Sequence, residues 1–122
     1  MKSIIIAVLL STVFLVTAQA DEVETEKVEI EALITSLAGS GCEFERNGSR
    51  HSAEDAAEHL RLKYRRGGKY VSSAETFIDR LASKSSWSGK AYTVACPGKP
   101  VEPAADWLYR RLQSIRGAAL AD

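Results

Sequence analysis

The chain has 122 residues, with sixteen Lys and Arg set against sixteen Asp and Glu. Balanced charge gives no general electrostatic case for nucleic-acid binding, and the length allows one modest domain but leaves little room for a second. No internal repeat, low-complexity block or Pro/Gly-rich linker divides it.

The chain opens MKSIIIAVLLSTVFLVTAQA. Lys2, an apolar run from Ile4 to Val16 and then Ala18-Gln19-Ala20 follow the order of a secretory signal peptide with an Ala-x-Ala cleavage site. The rival reading is an N-terminal membrane anchor, but about 13 apolar residues make a helix of about 20 Å, short of the roughly 20 residues a bilayer core needs. The layout therefore predicts a leader over residues 1–20, cleavage after Ala20, and a single small globular domain over residues 21–122. No cysteine stands beside the cleavage site to carry a lipid, so no stable membrane anchor is expected after cleavage. A periplasmic or secreted location follows.

Charge is uneven in what remains: residues 21–31 carry six acids and one lysine, whereas residues 46–69 carry seven bases and three acids. Cys42 and Cys96 are the only cysteines. In an oxidising compartment two thiols end as one disulfide, and closing a loop of about 54 residues stabilises the fold by about 4 kcal/mol on the chain-entropy estimate. The alternative, a metal pair completed by His51 or His59, matches no common zinc spacing.

The first predicted helix covers residues 22–38. Val23, Ile30, Leu33, Ile34 and Leu37 recur at helical spacing, acids crowd the first turns and Gly39 follows as a stop. CEFER then reads as a short strand running into the turn pair Asn47-Gly48. Asn47-Gly48-Ser49 also fits a glycosylation acceptor, although turn chemistry explains it without one. Ser52 and Asp55 form a capping box for a second helix, with Ala53, Ala56, Ala57, Leu60 and Tyr64 on one arc and Gly67-Gly68 at its end. Ser72-Ser73-Ala74-Glu75 is read as a capping box opening a third helix of about ten residues, with Ala74, Phe77, Ile78 and Leu81 as its buried stripe. Residues 91–96 alternate as a second strand turned by Pro97-Gly98. Pro103 then stands near the first position of a fourth helix, whose inner face is Ala104, Leu108, Leu112 and Ile115, with Trp107 at its margin.

These elements define an α+β, mostly helical fold: four helices with a short two-stranded antiparallel ribbon, in the order α-β-α-α-β-α. Because strand side chains alternate, the ribbon is expected to set Cys42 near Cys96 and Phe44 near Val94, with Cys42 on the ladder or just outside it.

The loop SKSSWSGKAY, residues 83–92, is the first candidate for chemistry. It fails the P-loop template, because Lys84 and Ala91 stand where a glycine and a Ser or Thr are required. Neither a Ser-x-x-Lys pair nor a Gly-x-Ser-x-Gly elbow is present. Two readings remain: a polar connector, which is preferred, and an anion cradle built from the backbone N–H groups of Ser88 and Gly89 with Lys84 and Lys90. His59 has Asp55 one turn before it and Lys63 one turn after, an arrangement shared by an oriented general base and an ordinary surface histidine. Arg111 projects between Trp107 and Leu108, where a guanidinium must snorkel, stack on a ring or find a carboxylate or ligand. Leu62 points away from its helix's apolar arc, toward a second element or a partner. Arg61, Lys63, Arg65, Arg66 and Lys69 read as a solvated helix end suited to the dipole.

The segments EFERNGSRHSAEDAAEHLRLKYRR, SAETFIDRLASKSSWSGKAYTV and DWLYRRL together resemble the YfeK-like family of small exported bacterial proteins, a domain family of unknown function. The resemblance runs from about Ile30 to Arg116 and implies a periplasmic or secreted bacterial protein, without supplying an activity or a catalytic residue. The leading expectation is an exported envelope protein acting as a non-enzymatic binding or interaction module, with no cofactor or metal. Its partner is an unknown envelope protein or a small anionic ligand, not nucleic acid. Candidate binding residues are Arg46, His59, Ser88, Gly89, Lys90 and Arg111. The alternatives are a small hydrolase or transferase using His59 and a serine of the 85–88 loop, or a simple anion-binding protein.

Overall fold

The computed structural model describes residues 13–121, so the first twelve residues of the expected leader lie outside the described residues. Helix α1 (Val13–Ala38) starts earlier than expected and runs through the anticipated cleavage point at Ala20. Residues 13–21 contain neither Gly nor Pro, so nothing in them stops a helix. Among the described residues no helix is long and apolar enough to cross a membrane.

The expected two-stranded ribbon is the centre of a four-stranded antiparallel sheet, in the order β2-β1-β3-β4. The strands are β1 (Glu43–Arg46), β2 (Ser49–His51), β3 (Thr93–Ala95) and β4 (Glu102–Pro103). β2 exists because Asn47 and Gly48 both take positive φ, 48° and 83°, the geometry of a two-residue hairpin turn. Its sequence, Ser-Arg-His, carries no apolar alternation to announce a strand. Pro103 stands immediately before the first residue of helix α4 (Ala104–Ala121), as expected, and also closes β4 opposite Thr93, where it is tolerated because β4 is an edge.

The central register agrees with the sequence reading: Phe44 pairs with Val94 and Glu43 with Ala95. Cys42 and Cys96 are each one residue beyond that ladder and are joined in a disulfide. Alternation places Phe44 and Val94 on the sheet's inner face, where both are buried. Glu43 and Glu45 face outward, each about 4 Å from Arg50.

Helix α2 (Ala53–Gly67) begins at Ser52, whose hydroxyl accepts the Asp55 N–H at 3.1 Å. A single 3₁₀ turn (Gly68–Tyr70) leads on to helix α3 (Ala74–Phe77), which widens into a π turn (Ile78–Ala82). The α3 cap falls one residue later than expected. Ser73, not Ser72, is the N-cap, and Thr76 replaces Glu75 as its reciprocal partner. Thr76 Oγ1 accepts from the N–H groups of both Ser72 and Ser73 at 2.9 Å. Glu75 is instead engaged by Arg116, which also holds Glu29 and so ties α1 and α3 to helix α4 (Ala104–Ala121).

The core joins all four helices and the sheet. Ile30, Leu33, Ile34 and Leu37 of α1 meet Leu60 of α2, Phe77 of α3, Ile78 of the π turn, Phe44 of β1, and Leu108 and Leu112 of α4. Trp107, expected at the margin, is buried, whereas Val23, expected in the α1 stripe, is exposed.

Candidate functional site

Strand alternation sets Arg46 on the same face as Phe44, so the last residue of β1 carries a guanidinium toward the helices. Opposite it stand His59, Lys63 and Arg66. These are separated by four and then three residues and therefore form one stripe of α2. Arg46, His59, Lys63 and Arg66 line a cleft of about 500 Å³ with Asn47, Tyr70, Leu81, Ser85, Ser86, Trp87 and Tyr92. Among the described residues no Asp or Glu lines it.

The polar contacts define the protonation states. Arg46 Nη1 donates to His59 Nε2 at 3.3 Å. A guanidinium can only donate, so Nε2 is unprotonated and the neutral ring carries its hydrogen on Nδ1. Burial, then the charges of Arg46 and Lys63 and finally His51, hold the His59 pKa down at about 4. Lys63 Nζ donates to the Tyr92 hydroxyl at 3.0 Å and to the Lys84 carbonyl at 3.1 Å, and it lies 5.0 Å from the Tyr92 ring centroid. Burial, assisted by Arg46, lowers its pKa to about 8. Arg46 Nε is buried and has no hydrogen-bond partner among the described residues.

The 83–92 loop is closed by its own groups. Lys84 and Ala91 form a bridge, Ser85 N–H donates to the Lys90 carbonyl, and Gly89 N–H returns to the Ser85 carbonyl. The buried Ser85 hydroxyl accepts from the N–H groups of Trp87 and Ser88 and from Asn47 Nδ2, while Ser88 Oγ donates to Asn47 Oδ1 at 2.5 Å. The N–H groups of Ser88 and Gly89, expected to face an anion, are thus spent inside the loop. Gly89 takes φ 75°, a left-handed turn position that favours glycine.

The candidates therefore separate. Arg46 and His59 meet in the cleft, whereas Ser88, Gly89 and Lys90 are not among its lining residues. Arg111 is also absent from the lining and stacks 4.9 Å over the Trp107 ring on α4. No hydrogen bond joins His59 to a serine hydroxyl among the described residues, and its Nε2 lone pair is occupied by Arg46. Ser85 and Ser86 nonetheless line the same cleft as His59. Cys42 and Cys96 are oxidised to each other, so the alternative metal pair has no thiolate to offer.

Two lining cations, Lys63 and Arg66, are absent from the sequence-derived candidates. Their spacing from His59 was the available signal. The neighbouring bases do other work: Arg61 bonds Thr35 and lies 3.5 Å from Glu31, and Lys69 sits over the Tyr70 ring. Leu62 is half-buried and lines a neighbouring cleft of about 650 Å³ that shares Arg46 and His59 and adds His51, Asp55 and Glu58.

Protonating His59 would put a cation against Arg46 and Lys63, with only Asp55 and Glu58 of the neighbouring cleft as acids nearby. Below its ordinary value of 6.5 the unfolded chain binds a proton that the folded chain refuses until about pH 4. Folding stability is therefore expected to fall as pH drops from about 6.5 to 4. Urea titrations across this window should show a shallower decline in His59→Gln, and equal slopes would contradict the assignment.

The fold and cleft define a small disulfide-linked α+β protein with an acid-free, cation-lined cavity. The chain matches DUF5329, a family of unknown function, over residues 24–116, and it belongs to that family. Every residue lining the cleft falls within this span. The chain is 39% identical over 93 residues to the uncharacterized protein YfeK of Salmonella typhimurium, covering 75% of this chain and 77% of that protein. No solved structure matches it.

Proposed function

We propose that the chain is an exported, non-enzymatic binding module of the bacterial envelope that holds a small anion in the cleft between β1, α2 and the 83–92 loop. One observation carries the reading: Arg46, Lys63 and Arg66 line a single cavity with no carboxylate among its lining residues. Cations gathered without counter-charge raise one another's free energy, and an entering anion relieves that repulsion while gaining charge-assisted hydrogen bonds. The Lys63 amine, lowered first by burial and then by the Arg46 charge, is the cation that gains most from such a partner. Export is supported by the leader-like N-terminal pattern together with the disulfide, which suits an oxidising compartment. Binding is favoured over catalysis because His59 is committed as an acceptor to Arg46.

Inorganic phosphate is expected to raise the melting temperature of the oxidised protein along a saturable curve. At ten times Kd the gain is about 1.4 kcal/mol, or about 5–10 °C for a domain of this size. Arg46→Ala and Lys63→Met should remove most of the shift, whereas Lys90→Ala and Arg111→Ala should retain it. A shift lost in Lys90→Ala and kept in Lys63→Met would overturn the reading.

A further inference from the structure

The aromatic content of the cleft narrows its ligand. Among the exposed large apolar side chains of the described residues, two are aromatic: Trp87, 91% exposed, and Tyr70, 60% exposed. Both line the cavity that holds the three cations. Leu81 and the buried Tyr92 add apolar surface to the same walls. An isolated exposed ring needs no explanation. Two exposed rings lining the same cavity as Arg46, Lys63 and Arg66 are the components of a stacking platform beside an anion hole.

The donors still open set the charge of the head group. Asn47, Ser85 and Ser88 satisfy one another within the loop network. Lys63 Nζ has two of its three hydrogens engaged, Arg46 bonds through Nη1 alone, and Arg66 makes no hydrogen bond or ion pair among the described residues. Three cations with spare donors suit a dianion with several acceptor oxygens better than a monoanion. A volume of about 500 Å³ accommodates such a head together with one ring system.

We infer that the cleft binds a small aryl phosphate, with its dianionic head on Arg46, Lys63 and Arg66 and its flat ring against Trp87 and Tyr70. This rests on the anion reading above and adds the aromatic body to it. Stacking leaves Trp87 on the solvent side of the ligand. Its exposure means that removing the indole does not open a hole in the core.

Calorimetric titration of the oxidised protein with phenyl phosphate, inorganic phosphate and benzoate tests the inference. Phenyl phosphate is expected to bind about tenfold or more tightly than inorganic phosphate, and benzoate more weakly than phenyl phosphate. Trp87→Ala should bring phenyl phosphate down to the affinity of inorganic phosphate while leaving inorganic phosphate unchanged. Saturable change in tryptophan emission on adding phenyl phosphate, absent in Trp87→Phe, separates Trp87 from the buried Trp107. Equal affinity for phenyl and inorganic phosphate would overturn the aromatic inference and leave the anion site standing. Binding of neither would overturn both. Binding to vesicles of anionic phospholipid without binding of phenyl phosphate would overturn it in favour of a membrane surface.

Discussion

Replacing Cys42 and Cys96 together by serine is expected to lower the free energy of unfolding by about 4 kcal/mol. The bridge closes 54 residues of sequence separation, a segment that contains α2, α3 and the whole 83–92 loop. Without it the denatured chain regains the freedom of that segment, while the folded chain keeps only three paired positions between β1 and β3 at its centre. A loss of that size is a large part of the 5–15 kcal/mol that holds a typical domain together. The urea midpoint should fall by about 2 M, with a steeper transition because the unlinked denatured chain exposes more surface. A midpoint within about 0.5 M of the parent would show that the link contributes little.

Phe44→Ala is the second large effect, with an expected loss of about 3–5 kcal/mol. Phe44 is fully buried at the centre of the sheet's inner face, opposite Val94 and 5.1 Å from the Tyr92 ring in a tilted pair. Truncation leaves a ring-sized void walled by α2 and the sheet, and rigid elements close such a void only in part. Phe44→Leu refills most of it, so its loss should be smaller than that of Phe44→Ala. Chemical denaturation of the two variants checks the order; equal losses would mean that the site relaxes around either side chain.

Much of this fold is written in local pattern. The stripes Ile30–Leu33–Ile34–Leu37 and Ala104–Leu108–Leu112 repeat at helical spacing, and each is buried as that spacing requires. The alternation in CEFER and AYTVAC fixes the β1–β3 register because a slip of one residue would turn Phe44 and Val94 to water. β2 and β4 escaped detection for a different reason. They are short edge strands of polar residues and proline, held by a turn and by a neighbour rather than by their own burial. The Ser73 cap also depended on tertiary structure, since Arg116 from α4 takes the Glu75 carboxylate that the capping pattern would have used locally.

The cleft was half legible. Arg46 and His59 stood out as residue types, but nothing in the chain says that a strand end and a helix thirteen residues on face each other at 3.3 Å. Lys63 and Arg66 were hidden in a basic run whose members turn to several sides of α2. Only two of the five enter the cavity, while Arg61 leans on α1 through Glu31 and Thr35. The loop misled in the opposite direction. Its serines and glycine have the composition of an anion cradle, yet Ser85 lies buried and collects three donors that a ligand would need.

The decisive measurement is a residue-resolved titration of the oxidised protein with inorganic phosphate, followed by ¹H–¹⁵N correlation spectra. An acid-free cluster that receives an anion should move the resonances of Arg46, His59, Lys63 and Arg66 furthest, along one saturable curve, with Arg111 nearly still. Shifts concentrated at Ser88, Gly89 and Lys90, or spectra unchanged at saturating phosphate, would contradict it.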